Sequence, residues 1–332
     1  VNHTSGETYV CTDATTDANV WTNVGAGTGD IQPPAYPGES YGYVAGGTYP
    51  TSGPINSDRI HQFNFATEAD ATHIGNILVA GGERTGCSMP YHGYWANGYP
   101  PAVGSSNVIE RMAFAIPGDG TSDVGDLSTS RRNASSSSSQ THCYWHGGDA
   151  GITLIERSAD ASQADAGEPG TLETGYNNGT GSSDQGAGYG YVAGGYQTTR
   201  KIINRFQFAA NASGTDIGDL AQGAAHAGGG ASLTHSYTMG GAYQQNWIQK
   251  YAFGSSTTGF DIADLSAGTH SWGSCGISSL TNSYNCGGDI GLGGGNSTDV
   301  INKVSHSNDV NGIDIANLAT SANYLGQTGA HV

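Results

Sequence analysis

The sequence predicts an all-β protein in which six similar four-stranded sheets close into a ring, and three observations predict it. First, a phrase of the form Tyr-x-x-Gly-Gly, or a close variant, recurs along the chain. Its tyrosines are Tyr43, Tyr94, Tyr144, Tyr191, Tyr237 and Tyr284. Second, these tyrosines are 51, 50, 47, 46 and 47 residues apart, and a fixed period of this size indicates a repeat architecture. Third, the end of the chain supplies a strand that the first repeat lacks.

The composition favours a folded repeat protein over a disordered one. Only 36% of the 332 residues are hydrophobic and 54 are glycine, which is also compatible with disorder. The 18 Tyr, 7 Phe and 5 Trp, however, recur at set places in the repeat. No stretch keeps an apolar rhythm of 3.6 residues, so we expect no long helices. We predict one repeat domain, residues 38–332.

The charge balance disfavours two classes of partner. The net charge is −17, with only 11 Lys and Arg residues. Proteins that bind nucleic acids or anionic membranes need a basic surface, so we expect neither partner. No apolar run approaches the ~20 residues of a membrane-spanning helix, and we therefore expect no membrane insertion.

Residues 1–37 precede the repeat and do not follow it. Thr8–Cys11 and Asn19–Val24 have the residue types of two short strands. The stretch Gly25–Pro34 is rich in glycine and proline, as linkers are. We predict a short β stalk or attachment segment, residues 1–37, followed by the repeat domain.

Each repeat is predicted to contain four strands. In one copy an inner strand at Gly230–Leu233 leads through a tight turn into the Tyr237 phrase. A third strand, such as the one with Ile203 and Phe206, has apolar residues on both faces, which suits a sheet that is covered on both sides. The fourth strand carries an Asp-rich phrase such as Thr215–Leu220. The paired glycines either let neighbouring backbones approach or supply positive φ.

The two ends of the chain predict the number of sheets. Gln327–His331 is similar to the residues that precede Tyr237, whereas prolines stand where the first repeat needs its inner strand. The last residues can therefore complete the first sheet and close the ring without a free edge. The matching positions Tyr41 and His331 are 290 residues apart, or about 48 for each of six repeats.

These phrases resemble those of a divergent Kelch-type β-propeller, in which paired glycines at a strand end are followed by an aromatic residue and a blade-closing phrase. Three segments are also similar in sequence to repeat proteins of marine bacteriophages known as tail fibres or virion structural proteins. They are Gly42–Gly47, Arg205–Ala209 and Asp216–Leu220. The opening Glu7–Thr15 resembles a connector of such proteins. The resemblance implies a six-bladed Kelch-like propeller located in a virion or outside cells, with other virion proteins as partners. A homotrimer is expected only by analogy with fibres.

Charged residues recur at two places in the repeat. The basic position lies two residues after an Ile that recurs in every repeat. It holds Arg111, Arg157, Arg205, Lys250 and Lys303, with Gln62 in the first copy. The acidic position holds Asp123, Asp126, Asp216, Asp219, Asp261, Asp264 and Asp314. Because they recur in nearly every copy, we interpret them as structural, in repeated ion pairs or as acceptors for turn amides. A calcium site on the Asp pairs is the alternative, and otherwise we expect no cofactor.

Histidines recur two residues before the repeated tyrosine. They are His92, His142 and His235, with His331 at the matching terminal position. A metal site would need these side chains to converge on one ion. We favour a role in turn capping or aromatic packing and predict no metal site.

The loops that follow the paired glycines differ from copy to copy, so they are the best candidates for ligand binding. Four of them begin with an aromatic residue, and two further aromatic residues lie within the repeated phrase. The candidates are Tyr49, Trp95, Tyr99, Trp145, Tyr196 and Tyr243. Exposed Tyr and Trp side chains offer flat apolar faces with a polar tip, which suit sugar rings or protein partners.

The five cysteines are an odd number at irregular spacing. Cys275 and Cys286 are placed to face each other across one hairpin, where a disulfide could form.

The sequence contains no Gly-x-Ser-x-Gly, His-Glu-x-x-His or phosphate-binding loop motif, so we predict no catalytic residues and no enzyme. We predict a non-enzymatic bacteriophage virion protein, a tail fibre or similar appendage, that binds a host surface glycan or protein through its loops. A virion decoration protein that packs only on neighbouring subunits is one alternative. A secreted glycan-active enzyme is the other.

Overall fold

The computed structural model describes residues 9–23, 37–51, 53–100, 104–196, 201–209, 213–241, 245–254, 256–266, 272–290 and 296–328. The chain divides into two compact units, residues 1–36 and 37–332. In the first unit, strands β1 (Tyr9–Asp13) and β2 (Val20–Asn23) form an antiparallel hairpin. The hydroxyls of Thr12 and Thr22 are hydrogen-bonded across it at 2.9 Å.

The second unit consists of six sheets, which we call blades 1 to 6. It begins with the four-residue helix α1 (Pro37–Ser40). Blade 1 contains β3 (Tyr41–Thr51), β4 (Gly53–Asn56), β5 (Arg59–Asn64), β6 (Thr72–Asn76) and the last strand, β28 (Asn323–Thr328). Blade 2 contains β7 (Thr85–Met89), β8 (His92–Ala96), β9 (Ser106–Ala113) and β10 (Ser122–Arg131). Blade 3 contains β11 (Ser135–Ser138), β12 (His142–His146), β13 (Leu154–Ala159) and β14 (Gly167–Thr171).

The other three blades also contain four strands, each antiparallel to its neighbours. Blade 4 contains β15 (Thr180–Asp184), β16 (Tyr189–Ala193), β17 (Ile202–Gln207) and β18 (Thr215–Asp219). Its outer strand also pairs in parallel with β22 (Thr257–Thr258). Blade 5 contains β19 (Gly228–Ala231), β20 (His235–Met239), β21 (Trp247–Ala252) and β23 (Phe260–Asp264). Blade 6 contains β24 (Cys275–Ser278), β25 (Asn282–Cys286), β26 (Val300–Ser305) and β27 (Ile313–Asn317). Short 3-10 helices are formed by Pro117–Asp119 and Asp149–Gly151.

The ring closes as the sequence predicts. Strand β28 is the innermost strand of blade 1 and pairs antiparallel with β3, so that Gln327 lies opposite Val44. The strand begins at Asn323, four residues before the predicted phrase, and residues 329–332 lie outside the described part of the chain. The first and last parts of the repeat domain therefore share one sheet.

The paired glycines have both of the predicted roles. Gly147 and Gly148 have φ angles of 68° and 126°. Gly148 donates its N–H to the carbonyl oxygen of Tyr176 at 2.6 Å, in the connection to the next blade. A Cβ on Gly147 would lie 2.5 Å from that same oxygen. Positive φ and close approach therefore both require glycine here.

An aromatic contact crosses five of the six blade interfaces. The ring of the repeated tyrosine lies against an aromatic ring of the next blade, with centroids 4.6–5.3 Å apart. The pairs are Tyr43–Phe114, Tyr144–Phe208, Tyr191–Phe253, Tyr237–His306 and Tyr284–Phe65. Between blades 2 and 3, Asp160 takes the place of the ring and accepts a hydrogen bond from the hydroxyl of Tyr94.

A buried polar side chain follows the first buried Ile of each third strand. In five blades its oxygen accepts a backbone N–H of the preceding blade, at 2.6–3.2 Å. These acceptors are Glu110, Glu156, Asn204, Gln249 and Asn302. In blade 1 the residue is His61, which is 1% exposed and has no hydrogen-bond partner among the described residues. This repeated position was missed at the sequence level.

The outer edge of each blade is also bonded to the next. Six backbone N–H groups donate to carbonyls of the preceding blade's fourth strand. The donor and acceptor pairs are Ala71–Asn317, Thr121–Asn76, Ala166–Asp126, Gly214–Thr171, Gly259–Asp219 and Gly312–Asp264. The fourth strands therefore do not end in an unpaired edge at these points.

The repeated charged residues have both predicted structural roles, as acceptors for turn amides and in ion pairs. The acidic partners in the ion pairs are different residues from the predicted ones. Asp123 and Asp216 accept turn amides two residues further on, at 3.1 and 3.0 Å. The ion pairs, however, do not use these Asp residues. Lys250 contacts Asp309 at 2.5 Å and Lys303 contacts Glu68 at 2.7 Å, and both pairs cross a blade interface.

A disulfide joins two blades, and it is not the pair that the sequence suggests. Cys87 in β7 is bonded to Cys143 in β12. Cys275 and Cys286 do lie opposite each other in β24 and β25, but both are free thiols and buried. Burial raises the pKa of the Cys275 thiol well above its usual value. The Cys87–Cys143 bond crosses the interface between blades 2 and 3, where Asp160 takes the place of the aromatic ring.

No helix in the described part of the chain is long and apolar enough to span a membrane.

Candidate functional site

The repeat domain has two faces, which differ in what varies between blades. The turns between the first and second strands lie on one face, which we call the turn face. The paired glycines, the loops after them and the connections to the next inner strand lie on the other, which we call the Gly-Gly face. Helix α1 leads into β3 at Tyr41, so the chain enters the repeat domain on the turn face.

Five equivalent residues of the Gly-Gly face form a backbone ring around its centre. Each has a left-handed conformation, with φ between 55° and 69°. They are Glu83, Asn133, Asn178, His226 and Gly273, and we call them the mouth ring. Each of the last four donates its backbone N–H to the carbonyl of the ring residue before it, at 2.9–3.1 Å. Five blades thus present one side-chain position at the centre of this face.

The mouth ring lines a small cavity. Its volume is about 70 Å³, and all five ring residues contribute to its wall. Sites that enclose a small-molecule ligand typically measure ~300–1,000 Å³. The cavity is large enough for ordered water, and a larger ligand would rest on the rim rather than inside.

Charged residues surround one side of the mouth and form the Arg132 cluster. The Arg132 guanidinium contacts Glu83 at 3.0 Å, donates a hydrogen bond to the carboxylate of Asp149 and lies 4.4 Å from the ring centroid of Tyr99. The Asn133 amide donates to Asp149 at 2.9 Å. Burial raises the pKa of Glu83, an effect that Asp149 reinforces and Arg132 opposes.

Aromatic residues surround the other side and form the His226 cluster. The His226 ring is stacked on Trp272 at 5.1 Å and meets the Tyr196 ring edge-on at 5.8 Å. Burial lowers the pKa of His226 to about 4, so the imidazole is neutral at pH 7. The cluster presents flat apolar surface beside a neutral polar ring.

Two residues of the mouth ring, Glu83 and His226, are of types that adopt its left-handed backbone conformation less readily than Asn or Gly. Asn and Gly adopt the left-handed region readily, whereas other residues pay roughly 1–2 kcal/mol. Glu83 and His226 have φ angles of 57° and 55°. An ion pair of partly exposed groups, such as Glu83–Arg132, returns only ~0.2–1 kcal/mol. The Glu83 side chain therefore adds little net stability, whereas the His226 ring contacts Trp272 and Tyr196.

The comparisons with known proteins inform the fold. No protein family matches the sequence, and no curated protein matches it. Among solved structures, the chain is similar to one titled "Structure of YjhT", at 13% sequence identity and a TM-score of 0.60. The match covers 75% of this chain and 87% of that one. The fold is a six-bladed β-propeller. At this identity the likeness concerns the fold alone.

Two of the predicted ligand residues lie at the mouth of the propeller. Tyr99 is 43% exposed and belongs to the Arg132 cluster, and Tyr196 is 46% exposed and belongs to the His226 cluster. Tyr49 lies in β3, but its side chain is not among the described parts of the molecule. Tyr243 lies outside the described residues.

The other two predicted residues are in the core. Trp95 and Trp145 lie within β8 and β12 and are 0% exposed, so the prediction that they are exposed to a ligand is wrong. Trp95 packs among core residues such as Tyr43 and Met112. The indole N–H of Trp145 donates to the Ser158 hydroxyl at 3.0 Å. Both faces of a blade are covered, so the residue after the tyrosine is buried as well.

The repeated histidines lie at turns of the opposite face. His142 and His235 contact the hydroxyls of Thr141 and Thr234, each at 2.8 Å. His92 pairs with Asp160 at 2.9 Å. Within the described residues, no group of three or more His, Cys, Asp or Glu side chains is arranged to hold a metal ion.

Four residues of the site were not predicted from the sequence: Glu83, Arg132, His226 and Trp272. All four occupy or adjoin the mouth ring, two or three residues before an inner strand. Asn133 and Asn178 recur at this position, and Asn before a strand is a signal for a left-handed turn residue. Aligning the repeats by their inner strands would have shown Glu83 and His226 in the same place.

Proposed function

We propose that this propeller is a non-enzymatic attachment protein of a bacteriophage-like virion that binds a glycan on the host surface at its Gly-Gly face. The observation that carries the proposal is the position of Tyr99 and Tyr196, two exposed aromatic residues on opposite sides of one polar mouth.

The chemistry of the mouth supports a carbohydrate ligand. Sugar rings present an apolar face of C–H groups, which stacks on tyrosine, and hydroxyls that bond to carboxylates, amides and guanidinium groups. Glu83, Arg132 and Asn133 supply such groups beside Tyr99. A stable protein interface buries ~800 Å² on each partner around an apolar centre, whereas the centre of this face is polar.

Two further features support an attachment role. The small cavity favours binding on the rim over the enclosed pocket of a small-molecule enzyme. The repeat domain begins at helix α1 on the turn face, and the candidate site lies on its opposite face. The virion setting rests on the similarity of the repeat phrases to those of marine bacteriophage proteins.

The experiment is a glycan array probed with the full chain and three single variants. Tyr99→Ala and Tyr196→Ala are expected to weaken binding to the best glycan at least 10-fold each, because each removes a stacking surface. Tyr91→Ala is the matched control, because Tyr91 is 53% exposed on the turn face. Its binding should be unchanged.

Two results would contradict the proposal. One is no binding to any glycan by the folded wild-type protein. The other is a loss of binding in Tyr91→Ala with full binding in both mouth variants. Turnover of a bound oligosaccharide would replace attachment with an enzymatic function.

A further inference from the structure

The mouth ring repeats one backbone conformation with different side chains. The same left-handed turn occurs in five blades, and it holds Asn in two and Gly in one, the residues that suit it best. Blades 2 and 5 hold Glu83 and His226 instead. Backbone strain of this kind tends to persist where a side chain is needed for function.

Neither exception is required for the architecture. Glu83 contacts Arg132, but Asp149 also holds that guanidinium. The backbone N–H of His226 makes the same ring bond as that of Asn178, at 3.1 against 2.9 Å. The fold therefore tolerates Asn at this position, as blades 3 and 4 show.

We propose that Glu83 and His226 are the specificity-determining residues of the mouth and that they select a neutral, hydroxyl-rich glycan. This inference rests on the proposed function. The Glu83 carboxylate accepts hydrogen bonds from sugar hydroxyls on one side of the mouth. The His226 imidazole, flanked by Tyr196 and Trp272, contacts the ligand on the other.

The charges of the mouth argue against an acidic ligand. Two carboxylates, Glu83 and Asp149, share one guanidinium, Arg132. The other guanidinium that lines the cavity, Arg84, is buried and paired with Glu110 at 3.0 Å. Burial keeps His226 neutral at pH 7, and the whole chain carries −17. A uronic or sialic acid would meet repulsion here, and the described residues of the mouth offer no unpaired guanidinium to bind it.

The test compares Glu83→Asn and His226→Asn with the wild-type protein. Each variant installs the residue that blades 3 and 4 already use, so both should fold. Thermal stability should stay equal or rise in Glu83→Asn and should fall only slightly in His226→Asn, which loses the ring contacts with Trp272 and Tyr196. Affinity for neutral oligosaccharides should fall at least 10-fold. Gln163→Asn is the matched control, because Gln163 is also left-handed, with φ of 45°, but lies on an exposed loop away from the mouth. It should gain stability and keep full affinity.

The probes are oligosaccharides of neutral hexoses, of amino sugars and of uronic or sialic acids, measured by calorimetry. Wild-type binding to neutral sugars with weakened binding in both Asn variants supports the inference. Equal binding by the wild type and both Asn variants overturns the inference and leaves the proposed function standing. Preference for acidic or amino sugars also overturns it, whereas no wild-type binding to any sugar overturns both.

A second pair of variants guards against misfolding. If an Asn variant does not fold, Glu83→Gly and His226→Gly take its place, since Gly273 occupies the equivalent position in blade 6. The outcomes given above for the Asn variants then apply to the Gly variants.

Discussion

The blade interfaces and the mouth ring are both repeated around the propeller axis, but they differ in what is repeated. At the interfaces the side chains recur: a buried tyrosine meets an aromatic ring in five of six places. At the mouth ring only the backbone recurs, while the side chains change from Glu to Asn, His and Gly. Repeated side chains hold the ring of blades together, and varied side chains on a fixed backbone are available for binding.

The largest expected effect is at the interfaces. Replacing Gly181 in β15 by Val would place a side chain inside the van der Waals radius of the Ser136 carbonyl oxygen, on the inner strand of the preceding blade. Backbone cannot give way as a flexible side chain can, so we expect a loss of more than ~3 kcal/mol or failure to fold. Thermal unfolding followed by circular dichroism measures it.

The control for this change is Gly167→Ala in β14. A Cβ at Gly167 would meet nothing within 4 Å, and its φ is not in the left-handed region. Its stability should stay within about 0.5 kcal/mol of the wild type. A folded Gly181→Val protein with unchanged stability would show that the inner strands are not packed as described.

The next effect concerns the interface between blades 2 and 3, where Asp160 takes the place of the aromatic ring. Removing the Cys87–Cys143 disulfide with a double Ala substitution should cost about 2–4 kcal/mol under oxidising conditions, because the bond restricts the unfolded chain. Cys275→Ala is the control, since it removes a buried thiol but no cross-link and should cost only ~1 kcal/mol. Chemical denaturation of the three proteins measures both values.

A peptide map without reductant checks the pairing itself. It should show a peptide with Cys87 joined to one with Cys143, and alkylated Cys275 and Cys286. A Cys275–Cys286 link would contradict the assignment.

The contribution of any one buried histidine to the pH dependence of stability is smaller than the effect of the disulfide. Burial lowers the pKa of His61, His226 and His306 to about 4 and that of His146 to about 3. The folded protein therefore binds fewer protons than the unfolded chain below the ordinary pKa of 6.5. Stability from these groups is complete above pH 6.5 and is lost as the pH falls from 6.5 towards 4, by roughly 2 kcal/mol at pH 5 for a fully buried histidine such as His146.

The His146→Gln variant tests the cause of this loss. His146 is 0% exposed and lies between the hydroxyls of Ser135 and Ser137 at 2.8 and 3.0 Å. An amide side chain can bond to both hydroxyls without taking up a proton. Its stability should fall less steeply between pH 6.5 and 4 than that of the wild type. Parallel slopes would show that His146 is not a source of the acid sensitivity.

The fold was predictable because the information lies in the period of the sequence. The spacing of Tyr43 to Tyr284 and the complementary ends of the chain together gave six blades and their closure. Contacts between blades were not predictable in the same way. Cys87 and Cys143 are 56 residues apart, and no local pattern distinguishes their pairing from that of Cys275 with Cys286.

The candidate site was predicted only in part. Tyr99 and Tyr196 follow the paired glycines, which are recognisable in the sequence. Glu83 and His226 precede an inner strand of small residues, and their left-handed backbone comes from the ring of bonds between blades. Trp95 was misplaced because an aromatic residue next to a core tyrosine can face either solvent or a second blade, and here it faces a blade.

The most direct measurement of the central claim is hydrogen–deuterium exchange with and without the best-binding glycan. We expect slower exchange in the ligand complex in segments of the Gly-Gly face, around residues 82–84, 131–133, 177–179 and 225–227. Exchange at the turns around 139–142, 232–235 and 279–282 should not change. Protection of those turns, with none around the mouth ring, would contradict the assignment of the ligand to this face.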